Sequence, residues 1–314
     1  MTGPAPGPRG PGGAAFATLL AIALVMGANH VAARVAFNDG LDVSTAVACR
    51  SLATALVVGL LVRAAGSPVG FPFTLRASLN PRQRRMLPLV GLLIGVQSLC
   101  LYAAVARLPV ALALLAFNTF PLWAAAADAV LYRRRPPRAT LLAMPVILAG
   151  LALALDVFGA ASGLGASGQW QQIGTGVAFA GVAAATFGVA LVLTQHELAA
   201  LDGRVRTACT LGLVGALALV AIALQGGPTW PASWSGWLGL GALTVLYGGG
   251  FTVMFTVLPR LGVAGHSPIL NVEPVCALVL AWWVLGQAIA PVQVLGAAIV
   301  VAAVMALGLR PKGR

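Results

Sequence analysis

The chain has 314 residues, of which 60% are hydrophobic and only 8% are charged, and its mean hydropathy is +0.95. Because a soluble domain carries roughly 25% charged residues, this composition excludes a protein that covers itself with a solvated surface. The net charge of +12 does not indicate nucleic-acid binding, because the cations cluster in short segments between apolar runs.

The first 13 residues are rich in proline and glycine, and we predict a disordered cytoplasmic tail over 1–13. Apolar runs of about 20 residues, the length that crosses a bilayer core, then recur along the chain. They predict an all-α membrane protein with ten transmembrane helices, because the strands of a β-barrel would alternate apolar and polar residues. The predicted spans are 14–37, 43–65, 86–105, 109–131, 139–157, 173–195, 207–225, 236–257, 262–285 and 290–309.

The distribution of cations predicts the orientation of the chain. With the N-terminus in the cytoplasm, every Lys and Arg except Arg34, Arg50 and Arg107 falls in a cytoplasmic segment. Cytoplasmic loops carry such an excess of Lys and Arg, so we expect both termini to be cytoplasmic. The expected location is the cytoplasmic (inner) membrane, which the chain crosses many times.

An internal repeat relates the two halves of the chain. Segment 106–121, ARLPVALALLAFNTFP, aligns without a gap with segment 259–274, PRLGVAGHSPILNVEP, at an offset of 153 residues. Apolar bias inflates the Leu, Val and Ala matches, but the segments also share an arginine, an asparagine and a proline: Arg107/Arg260, Asn118/Asn271 and Pro121/Pro274.

Five spans in each half make the second half enter the membrane from the opposite side, because five is odd. We therefore predict two inverted five-helix repeats around a central cavity, a plan that recurs in secondary transporters. The predicted organisation is a first repeat over 14–158, an inter-repeat external loop over 159–172, a second repeat over 173–309 and a cytoplasmic tail over 310–314.

The order and spacing of several motifs resemble a known family. They are GANHVAAR (27–34), AVACRSL (46–52), LYAAVARLPVALA (101–113), NVEPV (271–275), WVLGQ (283–287) and QVLGAA (293–298). Together they resemble the EamA family of the drug/metabolite transporter superfamily. The resemblance implies ten helices and the export or exchange of small metabolites, but it fixes no substrate. The chain departs from the family where members often carry Gly-Glu after spans 4 and 9, since it has Arg133-Arg134 and Gly286-Gln287 there.

Two ionisable residues lie deep in the predicted spans, where a charge costs about 2.5–3.5 kcal/mol on insertion scales. Arg50, roughly 10 Å below the external boundary at 1.5 Å per residue, is a candidate to bind a carboxylate or phosphate. The alternative is an ion pair that packs helices. Glu273, near the midplane, is a candidate to bind a substrate amine or a coupling proton. Its alternatives are a neutral, hydrogen-bonded role or a pairing with Arg50.

Span 1 carries a polar stripe. His30 and Arg34 are four residues apart, so they share a helical face, and Asn29 lies beside them. His30 is interpreted either as a packed, hydrogen-bonded residue or as a proton carrier. Arg34 lies near the external end, where it can extend to the interface or pair with Asp39 or Asp42.

Proline and amide side chains mark a second group of candidates. Pro274 lacks an N–H and so releases the carbonyl of Leu270 from the helix ladder. Asn271 and its repeat mate Asn118 are candidates to bind such released groups, which are tolerated at membrane depth where they line a cavity. Gln97 in span 3 is predicted to face either the cavity or a neighbouring helix.

Aromatic and peripheral residues complete the set. Tyr102 and Tyr247 are candidates to line an apolar pocket. His266, near the cytoplasmic end of span 9, is interpreted as a surface histidine. Asp128, near the cytoplasmic end of span 4, is expected to pair with the adjacent arginines 133–135.

No motif indicates an enzyme or a cofactor site. The sequence has no HExxH motif, no P-loop, no nucleophile elbow in a hydrolase context and no paired catalytic carboxylates. Its four cysteines lack CxxC spacing and are interpreted as packing residues. We therefore expect no catalysis, cofactor or metal, and any pumping must use a gradient rather than ATP.

The predicted function is secondary active transport, by alternating access, of small metabolites such as amino acids, as an exporter or exchanger. The alternatives are a drug or lipid-type carrier of the same fold and a non-transporting membrane scaffold. The expected partners are a small-molecule substrate and the lipid bilayer, with protons as a candidate coupling ion and no nucleic acid. A homodimer is left open.

Overall fold

The computed structural model describes residues 13–64, 79–134, 138–159, 161–256, 272–287 and 290–309. These residues form eleven α-helices, and the described segments contain no strand. The helices are α1 (Gly13–Asn38), α2 (Val43–Ala64), α3 (Pro81–Arg107), α4 (Val110–Phe117), α5 (Phe120–Tyr132), α6 (Arg138–Ala154), α7 (Gly165–Glu197), α8 (Gly203–Leu224), α9 (Trp234–Thr256), α10 (Glu273–Leu285) and α11 (Pro291–Leu309).

Seven stretches of the described chain are long and apolar enough to cross a membrane, judged by length and composition alone. Helices α4 and α5 together form one of them, and the shorter apolar helices lie in α6, α10 and α11. The chain is therefore an all-helical, multi-pass membrane protein, while the count of ten crossings stays a prediction. The seven stretches are Ala17–Asn38, Val43–Ala64, Pro81–Arg107, Val110–Tyr132, Gly165–Glu197, Gly203–Leu224 and Trp234–Val253.

The fourth predicted span, 109–131, is not a single helix, because it breaks after Phe117 into α4 and α5. Asn118 donates its backbone N–H to the carbonyl of Leu114 at 2.9 Å, and the Thr119 hydroxyl donates to the carbonyl of Ala116 at 2.8 Å. Asn118 and Thr119 are both buried. A break at membrane depth is stable in such a place, because the surrounding protein satisfies or shields the released backbone groups.

The sequence repeat continues in the helix boundaries. Three pairs of helices begin 153 residues apart: α3 and α9, α5 and α10, and α6 and α11. Helices α5 and α10 also end 153 residues apart. The residue that follows each of them has a positive φ, 54° at Arg133 and 63° at Gly286. The two halves therefore share their local backbone plan and not only a short sequence motif.

Two glycines allow the first helix of each half, α1 or α7, to pack closely against a helix of the other half. A Cβ built on Gly27 of α1 would lie 3.0 Å from the amide nitrogen of Ala277 in α10, and one built on Gly188 of α7 would lie 2.7 Å from that of Ala124 in α5. Ala124 and Ala277 are related by the same offset of 153 residues. Both contacts require the absence of a side chain, because the helix backbones approach closely.

The main contacts between helices also follow the repeat: each has an equivalent contact when the halves are interchanged. Helix α1 packs against α9 and α10, while its counterpart α7 packs against α3 and α5, the counterparts of those two helices. Helix α2 packs against α8, and α6 packs against α11, so each of these pairs maps onto itself. This exchange is what a pseudo-two-fold axis between the halves requires. The opposite membrane orientation of the halves stays a prediction.

Gly188 and Gly181, both in α7, provide a matched test of this packing. Gly188→Ala should lower the melting temperature in detergent, because the new methyl group meets backbone atoms and overpacking costs about 1–3 kcal/mol. Gly181→Ala in the same helix should not lower it, because a Cβ there has no neighbour within 4 Å. Equal melting temperatures for the two variants would contradict the close contact.

The loop between α1 and α2 is tied to the segment between α8 and α9 by Asp42. Its carboxylate accepts hydrogen bonds from the Thr45 backbone N–H at 2.9 Å, the Gln225 amide at 2.9 Å and the Thr229 backbone N–H at 2.8 Å. Desolvation raises the pKa of Asp42, but these hydrogen bonds together outweigh it, so the pKa lies below its ordinary value. The ionised form is therefore the one that joins the two segments.

Removing this charge should destabilise the protein in a pH-dependent way. Asp42→Asn should lower the melting temperature at pH 7, because a carboxylate with a lowered folded pKa adds stability above its unfolded pKa of about 3.9. The difference from the unsubstituted protein should shrink as the pH falls through the folded pKa. Thermal unfolding from pH 7 to pH 3 measures it, and a pH-independent difference would contradict the assignment.

Candidate functional site

A buried arginine forms the centre of the site. Arg50 of α2 is only 2% exposed, and its guanidinium carbon lies 4.4 Å from the ring centroid of Tyr102 and 3.9 Å from that of Tyr247. Such cation–π contacts contribute about 2 kcal/mol when desolvated. Tyr102 comes from α3 and Tyr247 from α9, so the two halves of the chain meet at this cation.

The guanidinium of Arg50 has only some of the polar partners that a buried cation requires. Its Nε and Nη1 have no hydrogen-bond partner, and none of the ion pairs in the described segments involves Arg50. A buried ion without a countercharge costs several kcal/mol. The alternative of an ion pair with Glu273 is wrong in this structure, because Glu273 faces His30 instead. An oxyanion that accepts two N–H groups would satisfy Arg50.

A histidine–glutamate pair lies next to Tyr102. His30 Nε2 of α1 lies 3.3 Å from Glu273 Oε1, the first residue of α10, and the His30 ring centroid is 5.5 Å from that of Tyr102. His30 is buried, its Nδ1 has no partner, and the Glu273 side chain is 28% exposed. The close approach of α1 and α10 at Gly27 brings this pair together. The pair can hold and exchange a proton.

Asn29 connects the two parts of the site. Its Oδ1 accepts a hydrogen bond from the Tyr102 hydroxyl at 3.1 Å, and its Nδ2, in a completely buried side chain, has no partner. Tyr102 thus contacts Asn29, His30 and Arg50. Six of the predicted residues lie in one group, which we call the Arg50 cluster: Asn29, His30, Arg50, Tyr102, Tyr247 and Glu273.

Arg34 has a different environment from the one predicted. Its Nη1 donates to the carbonyl oxygens of Val105 at 2.6 Å and Leu108 at 3.3 Å, so the predicted pairing with Asp39 or Asp42 is wrong. The last carbonyls of α3 lack helical partners and carry a partial negative charge, which attracts the guanidinium. Arg34 therefore caps α3, which supports a structural role.

Two of the remaining candidates, Asn118 and Gln97, do not belong to this group. Asn118 ends α4 at the helix break. Gln97 is buried on α3, where the Ser98 hydroxyl lies 3.4 Å from its Oε1. Neither hydrogen-bonds to the Arg50 cluster within the described segments. Asn271 and His266 lie outside the described residues.

Sequence reasoning missed a second polar cluster, where α3 begins and α5 and α7 end. The predicted partners of Asp128 were the arginines at 133–135, but its Oδ1 lies 2.9 Å from His196 Nε2. The His196 ring stacks on Tyr132 at 3.8 Å between centroids. Arg82 and Tyr132 both donate to the Glu197 carboxylate. A glutamate at a helix end resembles a solvated charge in the sequence, which hid this cluster.

The two halves differ in chemistry at equivalent places. Phe120 begins α5 as Glu273 begins α10. Its ring lies 4.9 Å from that of Phe187 and 5.6 Å from that of Phe117, between centroids. An aromatic group therefore stands opposite the ionisable one. In the described residues, no group of three or more His, Cys, Asp or Glu side chains is placed to hold a metal.

Comparison with known proteins identifies the family. The sequence profile of the EamA-like transporter family matches residues 13–155 and 174–309. The chain belongs to the EamA-like transporter family. It is therefore a membrane transporter of the drug/metabolite transporter type, as the sequence motifs predicted, and its bilayer and small-molecule partners follow from that assignment.

A comparison with solved structures supports the fold and adds nothing about the activity. One solved structure, described only as "Crystal structure of protein", aligns over 95% of this chain and 99% of its own, with a TM-score of 0.59 and 19% sequence identity. At this identity the likeness shows the fold alone. No curated protein matches the chain.

Arg34 and Arg50 should respond differently to substitution. Arg34→Met should lower the melting temperature by several degrees, because hydrogen bonds from a charged group contribute about 1.5–3 kcal/mol. Arg50→Met should lower it less, because the Arg50 guanidinium is almost fully buried, has two nitrogens without partners and, within the described part of the chain, donates to no carbonyl in place of a countercharge. Thermal unfolding of the two variants in detergent measures the difference, and a larger loss for Arg50→Met would contradict the unpaired environment.

Proposed function

We propose that this EamA-family chain is a secondary active transporter that exports or exchanges small metabolites such as amino acids by alternating access. One observation carries the proposal. The buried guanidinium of Arg50 has two nitrogens without hydrogen-bond partners, in the interior of a protein that belongs to a transporter family. A transported oxyanion would supply the missing acceptors and the missing charge.

The charges of the Arg50 cluster suit a zwitterion. Arg50 carries a cation without a countercharge, and Glu273 carries a carboxyl group whose ionisable neighbour is His30. A substrate carboxylate at Arg50 and a substrate ammonium at Glu273 would compensate both groups. A single negative charge is sufficient for Arg50, which favours a carboxylate over a dianionic phosphate.

Glu273 also suits the coupling ion. A carboxylate can accept either the substrate ammonium or a proton, and occupation by one disfavours the other. His30 lies within hydrogen-bonding range and can relay a proton to it. Competition of this kind would couple substrate movement to a proton gradient without any ATP site.

The position of the site suits alternating access. The Arg50 cluster draws residues from α1, α2 and α3 of the first half and from α9 and α10 of the second half. A relative movement of the halves would therefore open the site to one side at a time. The cation distribution supports cytoplasmic termini in the inner membrane, and we propose repeats over 14–158 and 173–309.

Flux into proteoliposomes tests the proposal. A panel of radiolabelled amino acids, with and without a pH gradient, should show saturable transport of at least one member. Arg50→Gln should reduce that flux at least about thirtyfold, because truncating one partner of a buried charge pair costs about 2–5 kcal/mol. Glu273→Gln should abolish the response to the gradient.

A matched control distinguishes the loss of any arginine charge from the loss of a charge in the Arg50 cluster. Arg107→Gln removes a cation that caps the end of α3 and lies 4.9 Å from the Phe179 ring centroid, outside the Arg50 cluster, and should leave flux within about twofold. Unchanged flux in both Arg50→Gln and Glu273→Gln would overturn the site assignment. The absence of saturable flux for every amino acid would overturn the substrate class.

The drug or lipid-type carrier remains a second candidate because of one groove. An open apolar groove of about 360 Å³ runs between α1, α9 and α10 and is lined by Ala28, Val31, Leu238 and Val284, among others. Its apolar walls suit a lipophilic compound better than a zwitterion. Saturable flux of a lipophilic cation, without flux of amino acids, would favour this carrier, and no saturable flux of either would favour a scaffold.

A further inference from the structure

The second polar cluster joins three helix ends through one carboxylate. Arg82, near the start of α3, donates its Nη2 to Glu197 Oε1 at 2.7 Å and pairs through Nε with the other oxygen. Tyr132, the last residue of α5, donates its hydroxyl to the same Oε1. Glu197 ends α7. Breaking these contacts would remove the charged links from α3 and α5 to α7 at this end.

Two further side chains reinforce the junction. His196 stacks on the Tyr132 ring and lies within hydrogen-bonding distance of Asp128 on α5. We call these five residues the Glu197 cluster: Arg82, Asp128, Tyr132, His196 and Glu197. All five lie at the end of the protein that the cation distribution predicts to be cytoplasmic.

The environment of Glu197 makes these contacts strong. Its side chain is only 6% exposed, whereas that of Arg82 is 72% exposed. Its partners cover this carboxylate, so their hydrogen bonds replace those that water would make. A two-nitrogen contact from arginine is the strongest common pairing for a carboxylate. The junction is therefore more than a solvent-exposed ion pair of little energetic weight.

The equivalent junction at the opposite end has no such chemistry. The offset of 153 residues places Ser235, Ala281 and Leu285 at the positions of Arg82, Asp128 and Tyr132. The Gly27–Gly188 correspondence places Val35 and Ala36 at those of His196 and Glu197. None of these five side chains ionises. The opposite end is joined instead by Asp39, whose Oδ2 accepts a hydrogen bond from the Ser233 backbone N–H at 2.7 Å where α1 ends and α9 begins. In the described residues, no ion pair joins α1 to α9 at that end.

We propose that the Glu197 cluster is the cytoplasmic gate of the transporter. It holds α3, α5 and α7 together in the structure described, and it separates whenever the site opens to the cytoplasm. The opposite gate, where α9, α10 and α1 meet, has the carboxylate–backbone hydrogen bond of Asp39 in place of an ion pair. The charged gate biases the empty protein towards closure on the cytoplasmic side. This role rests on alternating access, but not on the identity of the substrate.

Accessibility of a reporter cysteine tests the gate without any substrate. The background replaces the four native cysteines, at positions 49, 100, 209 and 276, with serine. The reporter is Phe187→Cys on α7, ten residues before Glu197, which is about 15 Å along the helix. A membrane-impermeant maleimide is applied to inside-out vesicles, and the labelling rate is measured.

Opening of the gate should raise that rate. Glu197→Gln and Arg82→Gln should each increase labelling roughly tenfold, the change in population that corresponds to about 1.4 kcal/mol. The double variant Arg82→Glu with Glu197→Arg should restore slow labelling, because it rebuilds the pair. Tyr132→Phe removes one hydrogen bond and should produce a smaller rise. Labelling from the opposite face should not rise in any of these variants.

A neighbouring ion pair supplies the control. Asp202 pairs with Arg204 at 3.2 Å at the same end, but the two lie within one segment and join no separate helices. Asp202→Asn should leave the labelling rate unchanged. The gate is overturned if Glu197→Gln labels no faster, if Asp202→Asn labels as fast, or if the charge exchange fails to restore protection. Faster labelling without amino-acid flux would overturn the proposed substrate class and keep the gate.

Discussion

A bilayer offers the peptide backbone no hydrogen-bond partners, and this constraint determines most of the structure. Helices satisfy it within themselves, so the described chain is helical almost throughout. The break between α4 and α5 is tolerated because Asn118 and Thr119 are buried in protein and their groups bond to carbonyls of α4. Irregular backbone therefore appears where the two halves enclose it, next to the helices that carry the candidate site.

Equivalent backbone positions carry different chemistry in the two halves. Gly27 and Gly188 make equivalent contacts, yet Glu273 on one side of the pseudo-axis corresponds to Phe120 on the other. Helices α2 and α8 begin 160 residues apart, which places Thr210 opposite Arg50. Packing tolerates few residue types at a close helix approach, whereas a side chain that faces internal space is free to diverge. The repeat thus preserves the helix packing, while only one of each pair of equivalent positions carries an ionisable residue, Glu273 or Arg50.

The sequence was sufficient for the helical membrane class, the repeat and the individual candidates, because hydropathy and spacing are local properties. It did not predict which candidates meet. Arg34 has acids nearby in the sequence, but it bonds to carbonyls 71 and 74 residues away. Glu197 resembles a solvated charge, and only the packing of three helices reveals its burial. The partner of a side chain is a tertiary property, and a single sequence records it weakly.

The extensive helix interfaces cross between the halves: α1 with α9, α2 with α8, α3 with α7 and α6 with α11. This has a consequence for biogenesis. During synthesis, the first five predicted spans enter the bilayer before their main packing partners exist. The faces of these helices that later pack against the second half must contact lipid, or an insertion factor, until the second half is synthesised. The halves are repeats in sequence, but neither is an independent folding unit, and assembly is completed only after the last helix is inserted.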